Sequence, residues 1–577
     1  MPRKFLLIGL MLFGWTAAIC QNSRPIYPVI ASAPADPIAY RALTVSAKQA
    51  FDAGEYAKAE MLYRQATALY PIEWQNWRYL AASLRLQDKW RDAIPAYGRL
   101  VALSGTFVGS GRYWQAVGHT KLGERDQALA LIKVMIDEDH EINRPGLAFD
   151  ENFKPLWDDP EFRALTVPAV PPGTDRVAGW RGDLKHLLSE IHRLNPDYRG
   201  RPLSAETQAL ADKLDADIPS LSNEQIFTRL AEIVGSLHQN HTMFWGSPAP
   251  GAPGAAALVP TTFLPLQFYA FPEGIYVVGA DAAQSALIGS RVDAIGGVPI
   301  ADVMKGIDAT VSYGSDAELA WTAPRRLATV PLLVGLGFAK HGAPVGLSLS
   351  KDGRRQSVQL TPVAQPIGNK LGPPVGVAAP RFLTKNDDPQ WFEPIPEAHA
   401  IYAQFSQVMD GKDDTLAEFA RKLRTALDDP AVDGVILDIR LNNGGNTFLY
   451  NELVRTMVAF STRPGKQVYV LIGRNVYSAA GNFTTDLERL ANPIFVGEPT
   501  GNMGNQEGDE GSVKLPYSGL TATIAAVKWQ LSHPWDVRRT IVPNIPVPLT
   551  AADYFAGRDP VLDTTLKAIA AQRGPAL

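Results

Sequence analysis

A serine and a glycine pair in the last third of the chain have the spacing of a nucleophile and an oxyanion site. The first turn reads Asp438-Ile-Arg440-Leu-Asn442-Asn-Gly444-Gly445-Asn446, and the second reads Asn475-Val-Tyr-Ser478-Ala479-Ala480-Gly481-Asn482. Each turn lies between a run with strand character and a run with helix character. A serine at the first turn of a helix exposes its hydroxyl. The amide after it, that of Ala479, points with the helix N-terminus, where positive partial charge favours an oxyanion. A glycine pair lets a backbone amide approach a substrate carbonyl closely, so Gly444 or Gly445 is the second donor expected. Neither turn is specific alone, because Ser478 suits a helix N-cap equally well.

The elements that must hold these turns alternate. Strands are expected at Ala398 to Phe405, Gly434 to Ile439, Val468 to Ile472 and Ile494 to Val496. Helices are expected at Thr415 to Leu427, Phe448 to Phe460 and Ser478 to Leu490. Strand–helix alternation predicts an α/β core with a mainly parallel sheet over 395–570. Upstream, 260–310 reads as short strands, among them Gly274 to Val278 and Ser290 to Ile295, and this stretch resembles a PDZ-like β module. Residues 176–245 read as amphipathic helices, Asp183 to His192 and one capped by Asn223 that runs to about Leu237. Nearer the start, Ala59 and Ala93, Tyr63 and Tyr97, and Tyr56 and Trp90 each recur at one fixed interval of 34 residues, and Gly123 with Ala128 continues the pattern one residue out of step. That period resembles tetratricopeptide repeats over 40–135, a helical solenoid offering either a partner surface or a packing spacer. The fold class expected is therefore multidomain, α plus α/β.

Composition sets the outer bounds. A chain of 577 residues exceeds one hydrophobic core. Its 46% hydrophobic and 20% charged residues are ordinary for a globular protein. The net charge of -4 gives no basic excess for a phosphate backbone, so nucleic acid is not an expected partner. Cys20 is the single cysteine, which excludes disulfides and thiolate metal sites within the chain. Arg3 and Lys4, an apolar run from Phe5 to Trp15 and small residues at 16–18 have the order of an export signal over 1–20. No later stretch reaches membrane-spanning length, so an exported protein, periplasmic or extracellular, is expected.

Together the two turns, followed by Val496-Gly-Glu-Pro-Thr-Gly501 and Asp553-Tyr-Phe-Ala-Gly-Arg-Asp-Pro560, resemble the C-terminal-processing serine peptidases, which include the tail-specific proteases and the tricorn core protease. The resemblance covers about 176–570. It implies a ClpP/crotonase-like spiral core carrying Ser478, and a protein or peptide substrate. Tail-specific members use a lysine as base, but Met503 stands at that place here. The tricorn-like branch instead takes a histidine from the earlier helical region. The stretch Leu237-His-Gln-Asn240-His241-Thr242 puts His241 there, with Asn240 preceding it to orient the ring and Asp536 near the distance of that branch's supporting acid. His238 and His241 are also spaced as a helical metal pair, but no third ligand at metal spacing accompanies them, so neither metal nor cofactor is expected. The family includes carriers that are not peptidases. The missing lysine leaves an inactive binding protein as the alternative reading.

Overall fold

The apolar runs of the last third form one six-stranded sheet. Its order is Ile545–Pro546, Ile494–Gly497, Gln467–Ile472, Gly434–Asp438, Ala400–Phe405 and Gln390–Ile395. Every pairing is parallel except the last. Gly434–Asp438 and Ala400–Phe405 are buried at every position, as parallel strands covered on both faces must be. Alternation along each strand divides the packing. Val435, Leu437, Val468 and Val470 meet the helices Leu416–Leu427, Asn451–Ser461 and Ala479–Ala491, while Ile436, Tyr469 and Leu471 meet the helix Pro560–Gln572. The computed structural model describes residues 36–105, 107–141, 143–167, 170–246, 258–259, 261–368, 370–385 and 388–572. The expected export signal, with Cys20, lies outside the described residues.

The chain divides into two compact units, residues 1–132 and 133–577. Among the described residues the first is all helical, with helices from Pro37–Asp52 to Arg125–Asp137, the last of which continues past residue 132. The 34-residue interval has a packing cause here. Ala59 and Ala93 are fully buried, and Tyr63 and Tyr97 nearly so, with Tyr63 stacked on Tyr79 and Tyr97 on Trp114. Small residues let the helices approach, and the rings fill the space between them.

In the second unit, helices Arg176–Leu194, Ala205–Asp217 and Asn223–Gly235 precede a second sheet. The cap of Asn223–Gly235 is Ser222, not Asn223, and it forms a capping box with Gln225. The second sheet begins with Leu266–Phe271, Gly274–Ala280 and Arg291–Ile295, but does not end near 310. The chain leaves it for helices Ile300–Asp308, Asp316–Arg326 and Val330–Gly335, then returns with Val345–Lys351 and Arg354–Leu360. A third, antiparallel sheet orders Met243–Gly246, Thr521–Gln530 and Asn505–Lys514. Among the described residues no helix is long and apolar enough to cross a membrane.

Candidate active site

Gly434–Asp438 and Gln467–Ile472 are neighbouring parallel strands, so the loops leaving their carboxyl ends emerge side by side. One loop carries the glycine pair and the other carries Ser478. They touch closely: a Cβ on Gly444 would stand 2.6 Å from the Cβ of Ser478. Gly444 has φ 108° and Gly445 has φ 139°, which also puts side chains there at a backbone cost. Asn442 shapes this turn. Its Nδ2 donates to the Phe405 carbonyl at 3.0 Å, and its Oδ1 accepts the Gly444 amide at 3.0 Å. Among the described residues, the Gly445 and Ala479 amides donate to no protein acceptor.

The Asp-x-Arg at the head of this loop is a clamp. Arg440 reaches both Asp438 and Asp559, with Nη1 and Nη2 each 2.8 Å from an Asp559 oxygen, and the Tyr402 hydroxyl donates to Asp438 at 2.7 Å. The two carboxylates are buried, so losing Arg440 leaves them uncompensated at a cost of about 3–5 kcal/mol. It ties the glycine loop to the start of the last helix.

Ser478 precedes the helix Ala479–Ala491 and has φ 56° and ψ -128°. A non-glycine residue there costs on the order of 1–3 kcal/mol, which the surroundings must offset. Gln506 helps to do so: its Nε2 donates to the Ser478 carbonyl at 3.1 Å and to Asn482 Oδ1 at 3.0 Å. The serine makes no capping bond to its own helix. Its Oγ lies 2.9 Å from Nε2 of His241 instead.

His241 sits between the helix Asn223–Gly235 and the strand Met243–Gly246, also at positive φ, 55°. Three contacts hold it. Its amide donates to the Tyr477 hydroxyl at 2.7 Å, its ring stacks on Tyr477 with centroids 4.6 Å apart, and its Nδ1 meets the Glu507 carbonyl at 2.9 Å. A carbonyl can only accept, so Nδ1 carries the proton and Nε2 is free to accept one from Ser478. The third sheet supplies the frame. Thr242 Oγ1 accepts the Ala525 amide at 3.0 Å, and Glu507 lies on the paired strand.

Two expected supports stand elsewhere. Asp536 does not meet His241: its carboxylate is taken by the Ser532 hydroxyl and the Arg538 guanidinium, each at 2.8 Å. The Arg538 bonds hold that carboxyl well below the usual range. Asn240 does not orient the imidazole ring either. Its Nδ2 donates to Glu318, 2.5 Å away, and the Gly314 amide donates to the same oxygen at 2.7 Å. Burial pushes Glu318 up to about 8, and Glu318 also hydrogen-bonds Tyr477. Glu318 thus anchors the His241 loop through Asn240 on one side and Tyr477 on the other. His238 is turned away, with its ring edge-on to Tyr313 and its Nε2 3.8 Å from Glu206. Met503 is fully buried in the helix-covered core.

Burial lowers the His241 pKa below the ordinary 6.5, and nearby Glu510, Asp509 and Glu507 only partly oppose this. A base must be neutral to take the serine proton. A depressed pKa keeps it neutral to lower pH, so activity is lost only as pH falls through a value below 6.5. The expected profile of kcat/KM against pH therefore has its acid limb below that of free histidine. A limb above that of free histidine would contradict this environment.

No protein-family model matches the sequence, and no curated protein matches it. Solved structures do. Mature CPAF is 16% identical, covers 69% of this chain and 99% of its own, and has a TM-score of 0.48. A photosystem II D1 C-terminal processing protease is 15% identical, covers 66% and 98%, and scores 0.32. The tricorn protease is 12% identical, covers 70% and 37%, and scores 0.34. At such similarity, function must be argued from Ser478 and its surroundings.

Proposed function

We propose that this chain is a serine peptidase acting on protein or peptide substrates. The observation that carries the reading is the 2.9 Å approach of His241 Nε2 to Ser478 Oγ, with Nδ1 committed to a carbonyl. Ser478 Oγ attacks the scissile carbonyl carbon as Nε2 takes its proton. The oxyanion that forms accepts from the amides of Ala479 and Gly445, both without a protein acceptor. Gly444, whose amide is bound to Asn442, shapes the turn rather than donating. The imidazolium returns its proton to the leaving amine, giving an acyl-serine. Water then repeats the sequence in reverse and frees the acid. The Glu507 carbonyl and the Tyr477 ring hold the imidazole through this cycle in place of a carboxylate. Phe448, 73% exposed and with its ring 6.3 Å from Trp529, offers substrate side chains an apolar flank beside the serine helix.

The remaining assignments belong to the same reading. The helices of the first unit serve as tetratricopeptide-like repeats for a protein partner. The sheet from Leu266 to Leu360 serves as a PDZ-like module, the core is ClpP/crotonase-like, and the protein works outside the cytoplasm. Incubating the purified chain with an unstructured polypeptide and sequencing the products by mass spectrometry tests the activity. New internal or near-terminal cleavages, absent when Ser478 is replaced, are expected. Intact substrate at enzyme-level concentrations after prolonged incubation would overturn the reading.

A further inference from the structure

The helix Asp316–Arg326 presents three residues on one face, at 318, 321 and 325. Glu318 serves the His241 loop. Trp321 lies between two neighbours, with its ring 5.7 Å from Tyr477 and 4.2 Å below the Arg325 guanidinium. Arg325 reaches beyond both into a cavity of about 90 Å³. The walls come from the strand Leu266–Phe271, from Arg440 and Leu441, and from the 473–475 loop that leads to Ser478. Neither Ser478, His241, Ala479 nor the glycine pair lines it.

The charges in this cavity do not balance. Arg474 is matched by Glu498 at 3.0 Å, and Arg440 is matched by Asp438 and Asp559. Among the described residues, Arg325 has neither a carboxylate nor a hydrogen-bond acceptor. Its neighbour Arg326 is buried, with Nε and Nη2 also unpartnered. Burial pulls Arg325 down to about 10, and the nearby Tyr477 only partly opposes this. A guanidinium partly withdrawn from water with no anion beside it favours an anionic ligand that completes it. The rest of the wall is largely apolar, with Trp321, Phe382 and Leu549.

We propose that this cavity is a binding site for a small organic carboxylate with a compact apolar or aromatic body, whose anionic end pairs with Arg325. A carboxylate matches the guanidinium fork by two parallel hydrogen bonds, and the apolar body fills the remaining wall. The site is distinct from the Ser478–His241 pair, so its fate does not depend on the peptidase reading.

The test is thermal unfolding of the whole chain with benzoate, with its neutral twin benzamide and with inorganic phosphate, each at equal millimolar concentration and ionic strength. Benzoate is expected to raise Tm by at least about 1 °C, the direction required of a ligand that binds only the folded state. Benzamide and phosphate are expected to give less than a third of that shift. In Arg325→Gln the benzoate shift is expected to vanish, while Tm without ligand stays level or rises because an unpaired, half-buried charge is gone. Lys370→Gln, at the exposed rim, is expected to keep the benzoate shift. Equal shifts from benzoate and benzamide, or from benzoate and phosphate, would overturn the proposal. So would a benzoate shift that survives Arg325→Gln. If Arg325→Gln does not fold, the wild-type comparison of the three compounds decides alone.

Discussion

Ser478→Ala is expected to lower peptide hydrolysis by at least about a thousandfold, the scale set by removing a triad nucleophile. Folding should survive. Alanine takes the same positive φ at a strain like that of serine, and the hydroxyl's bond is the one with His241. The helix after it loses no cap, since the serine oxygen caps nothing. Residual turnover is also expected, because the amides of Ala479 and Gly445 still polarise a bound carbonyl. The measurement is kcat/KM on one peptide, with circular dichroism confirming the fold. Turnover within tenfold of wild type would remove Ser478 from the chemistry.

His241→Ala should cost at least about a hundredfold, the lower end for a general acid–base group. The contrast with Asp536→Asn is the sharper part. From the resemblance to the tricorn-like branch, Asp536 is expected to support His241 and to set the acid limb. In the fold its carboxylate belongs to Ser532 and Arg538, while Nδ1 belongs to the Glu507 carbonyl. Asp536→Asn is therefore expected to leave both the rate and the pH limb within about twofold, as for an exposed ion pair. A large rate loss in Asp536→Asn, or a downward shift of its limb, would restore the carboxylate to the mechanism. Kinetics of both variants on the peptide used for Ser478→Ala provide the check.

Much of this site was legible in the sequence because it is local. The Gly-Gly and Ser-Ala-Ala turns are each set by one strand and one helix, and the apolar strands between them leave little freedom of register. His241 was reachable only through family resemblance, since nothing near it in the chain marks it. What escaped is long-range. Asn505–Lys514 reads Asn-Gln-Glu-Gly-Asp-Glu-Gly-Ser-Val-Lys, polar and glycine-broken, with none of the alternation that identifies a strand, yet it supplies the Glu507 carbonyl. Glu318 meets Asn240 across 78 residues, and no spacing rule connects them. The extent of the second sheet was misjudged for a related reason. Three helices, Ile300–Asp308, Asp316–Arg326 and Val330–Gly335, interrupt it before Val345–Lys351 rejoins, and the strand after that, Arg354–Leu360, is mostly exposed and so lacks apolar alternation. Asp536 shows the converse error: a residue at a suitable chain distance was captured by an arginine two positions away.

The most direct measurement is labelling of the purified protein by a fluorophosphonate, with the modified residue located by peptide mass spectrometry and the rate followed against pH. The probe reacts with a serine only when a base has activated it and an oxyanion site receives the phosphoryl oxygen. Labelling is expected on Ser478, absent in Ser478→Ala, strongly slowed in His241→Ala, unchanged in Asp536→Asn, and falling with pH only below the ordinary histidine range. An unlabelled wild-type protein, or a label carried by another serine, would contradict the assignment of Ser478 as an activated nucleophile.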